Sequence, residues 1–507
     1  MRNAAVPSGR RRAILRTTPR LMEALLVAIV LLSAVALFGS ENGIGLYRQA
    51  VDRIGRDAEP TVVTAEKLTV ALAEMDTEIA DSALGNEASW AQYVADTNEI
   101  SALLIRLSRD VRYSEAETAG LVDLVAQLRA YYQKVGGSSA NSAEIVGSNE
   151  QLSMTTTLWA SRLLRGDLIP KAQIIKSQAG ADLASAYADY RQGALTSLGL
   201  ALAPLLLLLG ALLLVQFMLI RRTHRLISVP LALVTVLLTA YIGWFGYTMV
   251  ADRAALAAAK EDFFDDLKII SDTKIAAQLM KADESMWLLE YRHVPFEQRH
   301  LREHYTRAFL NSAVQLLDCA NVAGTQTVPD RNTRPGAEYT AVEALSETLA
   351  RCAPVAAKGS TADLAAAPAG FAGPLADALQ RGTETGRNGR AASAEDLAAR
   401  QAASAAIVAF LDFLRIDQQI RTLMLNGERA KAVQLSTGRD AGESNGAFSA
   451  LAASLDRLIG LDQAGFEQGI DAAARHIALM SGGLNVVLIA TLLGTALGLW
   501  PRYREYI

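Results

Sequence analysis

Apolar residues along this chain gather into four long blocks, at 21–39, 195–220, 226–250 and 477–500. The second contains five consecutive leucines, Leu205 to Leu209, and Glu23, near the start of the first, is the one charge in the four. A helix needs about twenty apolar residues to cross a hydrocarbon core roughly 30 Å thick, so each block predicts a membrane span. Between the blocks the apolar positions fall into threes and fours. Val51, Ile54, Ala58, Ala65, Leu68, Leu72, Met75 and Ile79 form such a series, which predicts the narrow seam of a helical bundle. The expected fold is an all-α integral membrane protein with four transmembrane helices.

Basic residues set the expected orientation, because they stay cytoplasmic in short loops. Arg2, Arg10, Arg11, Arg12, Arg16 and Arg20 precede the first block; Arg221, Arg222 and Arg225 separate the second and third; Arg502 and Arg504 follow the fourth. All three groups fall on one side of a four-span chain, so both termini are expected in the cytoplasm of a multi-pass plasma-membrane protein. Ala34-Val35-Ala36 has the small-x-small spacing of a signal cleavage site. The length of the first apolar run favours an uncleaved anchor instead. The cytoplasmic parts are then a basic tail (1–20), a turn (221–225) and a short tail (501–507), too small to hold a kinase, a phosphatase or a DNA-binding domain.

Two outer segments remain, 40–194 and 251–476, each long enough for its own helical bundle. In the first, helices are expected at 87–110, 115–135 and 149–164, with a last one from Lys171 into the second span. Pro60 is expected to kink or restart the first helix, and Gly136-Gly137-Ser138-Ser139 and Gly166-Asp167 to punctuate the others. In the second, helices are expected at 250–292, 296–317, 394–425 and from Ser449 into the fourth span, with an insertion of loops or short helices at 325–336 and 353–390. The two halves resemble each other. Gly43, Tyr47, Asp52 and Arg53 recur as Gly243, Tyr247, Asp252 and Arg253, and Arg191 and Ser197 recur as Arg475 and Ser481. Duplication of a span-bundle-span unit is the expected origin.

Cys319 and Cys352 both fall in the second outer segment, and an even pair in an oxidising compartment is expected to form a structural disulfide. Two free buried thiols are the alternative. His300-Leu301-Arg302-Glu303-His304 satisfies the H-x-x-E-H pattern of inverted zinc peptidases, with His293 nearby. Arg299, Arg302 and Arg307 would repel a bound cation, so a solvated helix face is expected and no metal, cofactor or catalytic residue is assigned. Asn426-Gly427 reads as a turn between helices. Trp90, Tyr93, Tyr131, Tyr132, Trp159 and Trp287 are expected in the core. Gly494-x-x-x-Gly498 and Gly199-x-x-x-Ala203 permit close helix packing.

A formal charge of −4 excludes a broadly cationic nucleic-acid binder, and spans empty of buried carboxylates or histidines disfavour an ion or proton pathway. The outer units resemble the four-helix-bundle sensor domains of bacterial chemoreceptors and histidine kinases, without the signalling modules that follow them. The whole plan is similar to the GlnX-type membrane proteins of actinobacteria. That resemblance implies a non-enzymatic relay of amino-acid availability, from a glutamine-binding lipoprotein outside to the serine/threonine protein kinase G inside. The basic tail, the basic turn with Arg221, Arg222, His224 and Arg225, or the short C-terminal tail is the expected contact for a cytoplasmic partner such as a kinase. The alternatives are an envelope scaffold that acts by homo-oligomerisation, and a transporter.

Overall fold

The computed structural model describes residues 8–110, 115–145, 154–223, 229–258, 264–293, 299–316, 371–380 and 394–504, with short pieces at 260, 318–319, 342–343 and 347. These residues are helical almost throughout. In chain order the helices are α1 (Ser8–Asp52), α2 (Glu59–Ala83), α3 (Glu87–Asp110), α4 (Glu115–Ile145), α5 (Met154–Leu163), α6 (Ile169–Thr223) and α7 (Val229–Ala258). They continue with α8 (Asp265–His293), α9 (Arg299–Leu316), α10 (Pro374–Gln380), α11 (Ala394–Leu425), α12 (Arg429–Thr437) and α13 (Ser444–Arg504). The exception is an antiparallel pairing of β1 (Asp318–Cys319) with β2 (Phe371–Ala372).

Pro60 neither breaks the chain nor kinks it alone. A stretch of π-helix, Arg53–Ala58, precedes it and joins α1 to α2. Such a wide turn absorbs the backbone hydrogen bond that proline cannot make. A second π-helical stretch, Leu164–Leu168, takes up Gly166-Asp167 between α5 and α6. The Gly136–Ser139 run does not end α4, which continues to Ile145. Of the helix expected over 250–292, the structure describes α7 to Ala258 and α8 from Asp265, with π-helical residues at 260 and 264.

Five described helical stretches are long and apolar enough to cross a membrane. Four contain the blocks found in the sequence. The fifth is α11, whose apolar residues, among them Ala403, Ile407, Phe410 and Leu414, are buried in the core of a bundle with Phe309 and Leu451. Its hydrophobicity is therefore accounted for by protein packing.

The chain divides into two compact units. The first comprises 1–58, 182–259 and 467–507, and holds all four apolar blocks. Outward-facing rows such as Leu206, Leu207, Leu213, Leu214 and Phe217 on α6, and Val486, Ile489, Leu493 and Leu497 on α13, are exposed. Contiguous apolar rows of this kind are consistent with a lipid-facing surface. Inside the unit α1 meets α6 at small residues. A Cβ on Gly43 would lie 2.7 Å from the Ala201 nitrogen and 2.8 Å from the Ser197 oxygen, and Ser40 donates to the Ala201 carbonyl at 2.7 Å. On the other side α7 meets α13, with Gly494 against Val234 and the Tyr241 hydroxyl donating to the Met480 carbonyl at 2.7 Å. The pairing of helices thus repeats between the halves, but its residues do not. Gly199 and Gly243 have open space beside them, and Tyr47 is buried against Tyr190 whereas Tyr247 is exposed.

The second unit comprises 59–181 and 260–466. Both outer segments contribute to it, where the sequence suggested two separate bundles. The physical reason lies in α2. Its seam of Ala65, Leu68, Leu72, Met75 and Ile79 is buried, but so are Glu66, Thr69, Asp76, Thr77 and Asp81 on its other faces. A helix buried all round needs partners for its polar side chains, and α8 supplies many of them. Thr77 donates to the Gln278 carbonyl at 2.9 Å, Lys274 pairs with Glu74 at 2.8 Å, and Ser285 donates to Asp81. The ascending order of these pairs means that α2 and α8 run parallel. Arg165 binds Asp76 and Asp283 together, and Lys176 binds Asp272 at 2.6 Å with Glu66 at 3.8 Å.

Candidate functional site

In the second unit, three helices line one acidic cleft of about 340 Å³. α2 presents Glu74, Thr77, Glu78 and Asp81; α3 presents Ser89, Gln92 and Asp96; α13 presents Asn445, Phe448, Ser449 and Ala452. Within each helix the lining residues recur at three, four and seven positions, with Thr77–Glu78 and Phe448–Ser449 adjacent, the repeat that puts side chains on one face. Gln278 of α8 and Arg439 complete the lining.

Local chemistry fixes the frame. α2 ends in a tight turn at Gly85, whose φ of 104° is in the left-handed region that glycine tolerates. The Asn86 N–H donates to the Asp81 carbonyl there, and α3 begins at once. Arg439 stands in the loop between α12 and α13. That loop is closed by Asp440 N–H donating to the Glu443 carboxylate at 2.9 Å and Glu443 N–H donating to the Asp440 carbonyl at 2.8 Å. Gly446 packs against the Asp440 and Arg439 carbonyls, where a side chain would collide.

The four carboxylates have unequal surroundings. Asp81 is satisfied by Ser285 and by Asn445 at 2.7 Å, with the buried Lys281 ammonium at 3.9 Å. Lys281 itself binds Glu284 at 2.8 Å and Ser444 at 3.1 Å. Glu74 is paired with Lys274 and receives Gln278 at 3.2 Å. Among the described residues Glu78 and Asp96 have no cation at ion-pair distance, although Arg439 acts on Glu78 and Lys274 on Asp96 from further away. Asp96 is 2% exposed; its Oδ1 accepts from Gln92 at 2.8 Å and its Oδ2 has no partner. The Oε2 of Glu78 has none either. Burial, reinforced by Asp81 and Asp96 and opposed by Ser89 and Arg439, pushes the Glu78 carboxyl up to about 8. Burial, opposed by the Gln92 hydrogen bond, raises Asp96 to about 6.

The residues singled out from sequence lie elsewhere. Trp90, Tyr93, Tyr131, Tyr132 and Trp159 form an aromatic cluster in the core, with Tyr131 at its centre. Trp287 is buried beneath the Arg421 guanidinium, 4.5 Å from its ring centre, and Arg421 is paired with Asp417 at 2.7 Å. Asn426-Gly427 is the turn between α11 and α12, with φ of 76° at the glycine. His300 and His304 are on α9. His304 is exposed and meets Tyr305 edge-on, while the side chains of His293, His300 and Glu303 lie outside the described residues. No metal-binding group of three His, Cys, Asp or Glu occurs among the described residues. Cys319 contributes its backbone to β1; its side chain and all of Cys352 lie outside the described residues, among which there is no disulfide. Arg221 is exposed near Phe217, and His224, Arg225 and the side chain of Arg222 lie outside the described residues.

Sequence reasoning passed over Glu78 and Asp96. A signal was present, since Glu74, Thr77, Glu78 and Asp81 recur at the three-four spacing that puts polar groups on one face of α2.

Residues 50–188 match the model of the family described as actinobacterial sensor domain. They cover α2 to α5 and the first part of α6, hence two of the three helices that form the cleft walls. No curated protein and no solved structure matches the chain. The match supports a sensing role and an actinobacterial type of protein.

Proposed function

We propose that this chain is a non-enzymatic transmembrane signal transducer, in which the second unit reads a small-molecule signal outside the cell and the helices of the first unit relay it to a cytoplasmic partner. The observation that carries this reading is the sensor-domain match at 50–188 together with α6, one helix that starts inside the matched region and ends beside the basic turn. A continuous helix moves approximately as one body, so a shift or rotation at one end is available at the other. α13 has the same property, running from the cleft wall to Arg504. The basic turn with Arg221, Arg222, His224 and Arg225 is the contact for a soluble partner such as a serine/threonine kinase, and an amino acid is the signal, read directly or through a solute-binding lipoprotein. Phosphorylation by such a kinase, compared in cells with and without this gene while amino acids are varied, tests the relay. Loss of the amino-acid response on deletion supports it; an unchanged response together with disturbed cell shape favours an envelope scaffold.

A further inference from the structure

Glu78 and Asp96 face one cleft from adjacent helices, each with an oxygen that no protein donor reaches. For Asp96 this oxygen belongs to a side chain almost wholly buried. Burying a carboxylate without a counter-charge is costly, and the other two acids of the cleft show how the protein avoids it, through Lys274 for Glu74 and Lys281 for Asp81. Between Glu78 and Asp96, therefore, no cation among the described residues is paired directly with either acid, and Arg439 and Lys274 act on them only from further away.

We propose that the cleft binds a small organic ammonium compound, with its ammonium group held between Glu78 and Asp96. The remaining lining suits an organic ligand better than a bare metal ion. Phe448 and Ala452 give an apolar wall, Thr77, Gln92, Gln278, Asn445 and Ser449 give neutral hydrogen-bonding groups, and Arg439 is an exposed cation at the edge. The volume of about 340 Å³ lies in the range of small-molecule pockets. An ammonium donates three hydrogen bonds, matching the two unpartnered oxygens with one to spare, and Arg439 is placed to receive a carboxylate on the same ligand. The ligand class is thus amines and amino acids. Binding contributes to signalling only if the proposed relay holds, but the site itself stands without it.

The test uses the full chain purified in detergent, with thermal shift and calorimetric titration against the twenty L-amino acids, putrescine, glutarate and calcium chloride. At least one amine or amino acid is expected to bind saturably and raise the melting temperature, while glutarate and calcium do neither. Glu78→Gln and Asp96→Asn are each expected to weaken that binding by about tenfold or more, as for loss of a charge-assisted hydrogen bond. Helicity by circular dichroism shows that the variants fold. Arg439→Gln weakens the amino acids and leaves putrescine unchanged. The proposal is overturned if no amine binds, if binding survives in both carboxylate variants, or if calcium saturates the cleft in place of amines. Ligand binding without any change in kinase output would remove the relay and leave the site intact.

Discussion

Arg165, from the first outer segment, donates to Asp283, from the second, across 118 positions of sequence. The same guanidinium holds Asp76 at 2.5 Å, and both carboxylates are almost completely shielded from solvent. One cation thus keeps two buried acids together where the π-helical stretch Leu164–Leu168 meets α2 and α8. Arg165→Met leaves both acids unpaired and is expected to lower stability by about 3–5 kcal/mol, the usual result of breaking a buried ion pair. Combining it with Asp76→Asn and Asp283→Asn recovers most of that loss, because no buried charge remains. Denaturant melts of the single and triple variants, followed by circular dichroism, check both statements.

Much of this architecture is legible in the sequence, and the boundary of what is legible is physical. The apolar blocks, α3, α11 and the Asn426-Gly427 turn follow from composition and three-four spacing, which are local properties. The union of the two segments does not, because it depends on Glu74, Asp81, Arg165 and Lys176 of 40–194 meeting Lys274, Ser285, Asp283 and Asp272 of 251–476 from distant positions. In a single sequence those acids look like the solvated side of an amphipathic helix. Gly39 and Gly43 lay within reach, being four residues apart at and just past the end of the first apolar block, while Gly199, which has the same spacing to Ala203, has open space around it.

A contrast between neighbouring glycines tests the α1–α6 contact. Gly43→Leu forces a side chain into the Ala201 and Ser197 backbone, whereas Gly45 has nothing within 4 Å. The first substitution is expected to destabilise the bundle by about 1–3 kcal/mol, the range for overpacking, and Gly45→Leu to change it little. Thermal unfolding of the two variants in the same detergent gives the comparison.

The cleft carboxylates give stability a definite pH dependence. Glu78, facing Glu74 and Asp81 on α2, Asp96 and Ser89 on α3, and Arg439, has its folded-state pKa raised from 4.5 to about 8. In that window the unfolded chain releases a proton that the folded chain keeps, so this residue's contribution falls as pH rises from 4.5 to about 8 and stays low above it. Glu78→Gln is therefore expected to raise the melting temperature of the free protein most at pH 8 to 9, and to have little effect near pH 4. A melting series of both proteins across this range checks the sign; a difference that grows towards acid would refute it.

Buried Arg421 offers an independent check on the second unit. It pairs with Asp417 and stacks on Trp287 and Phe309, so Arg421→Ala leaves a buried acid and a void, with an expected cost of about 3–5 kcal/mol. Adding Asp417→Leu is expected to return part of it, a non-additivity that a double-mutant cycle measures.

The proposed relay depends most on which side of the membrane the second unit occupies. In a Cys319→Ser, Cys352→Ser background, a membrane-impermeant maleimide applied to intact cells should modify Arg415→Cys, an exposed position of that unit, and should reach Arg221→Cys only after permeabilisation. Labelling of Arg221→Cys but not Arg415→Cys in intact cells would place the sensor unit in the cytoplasm and contradict the account.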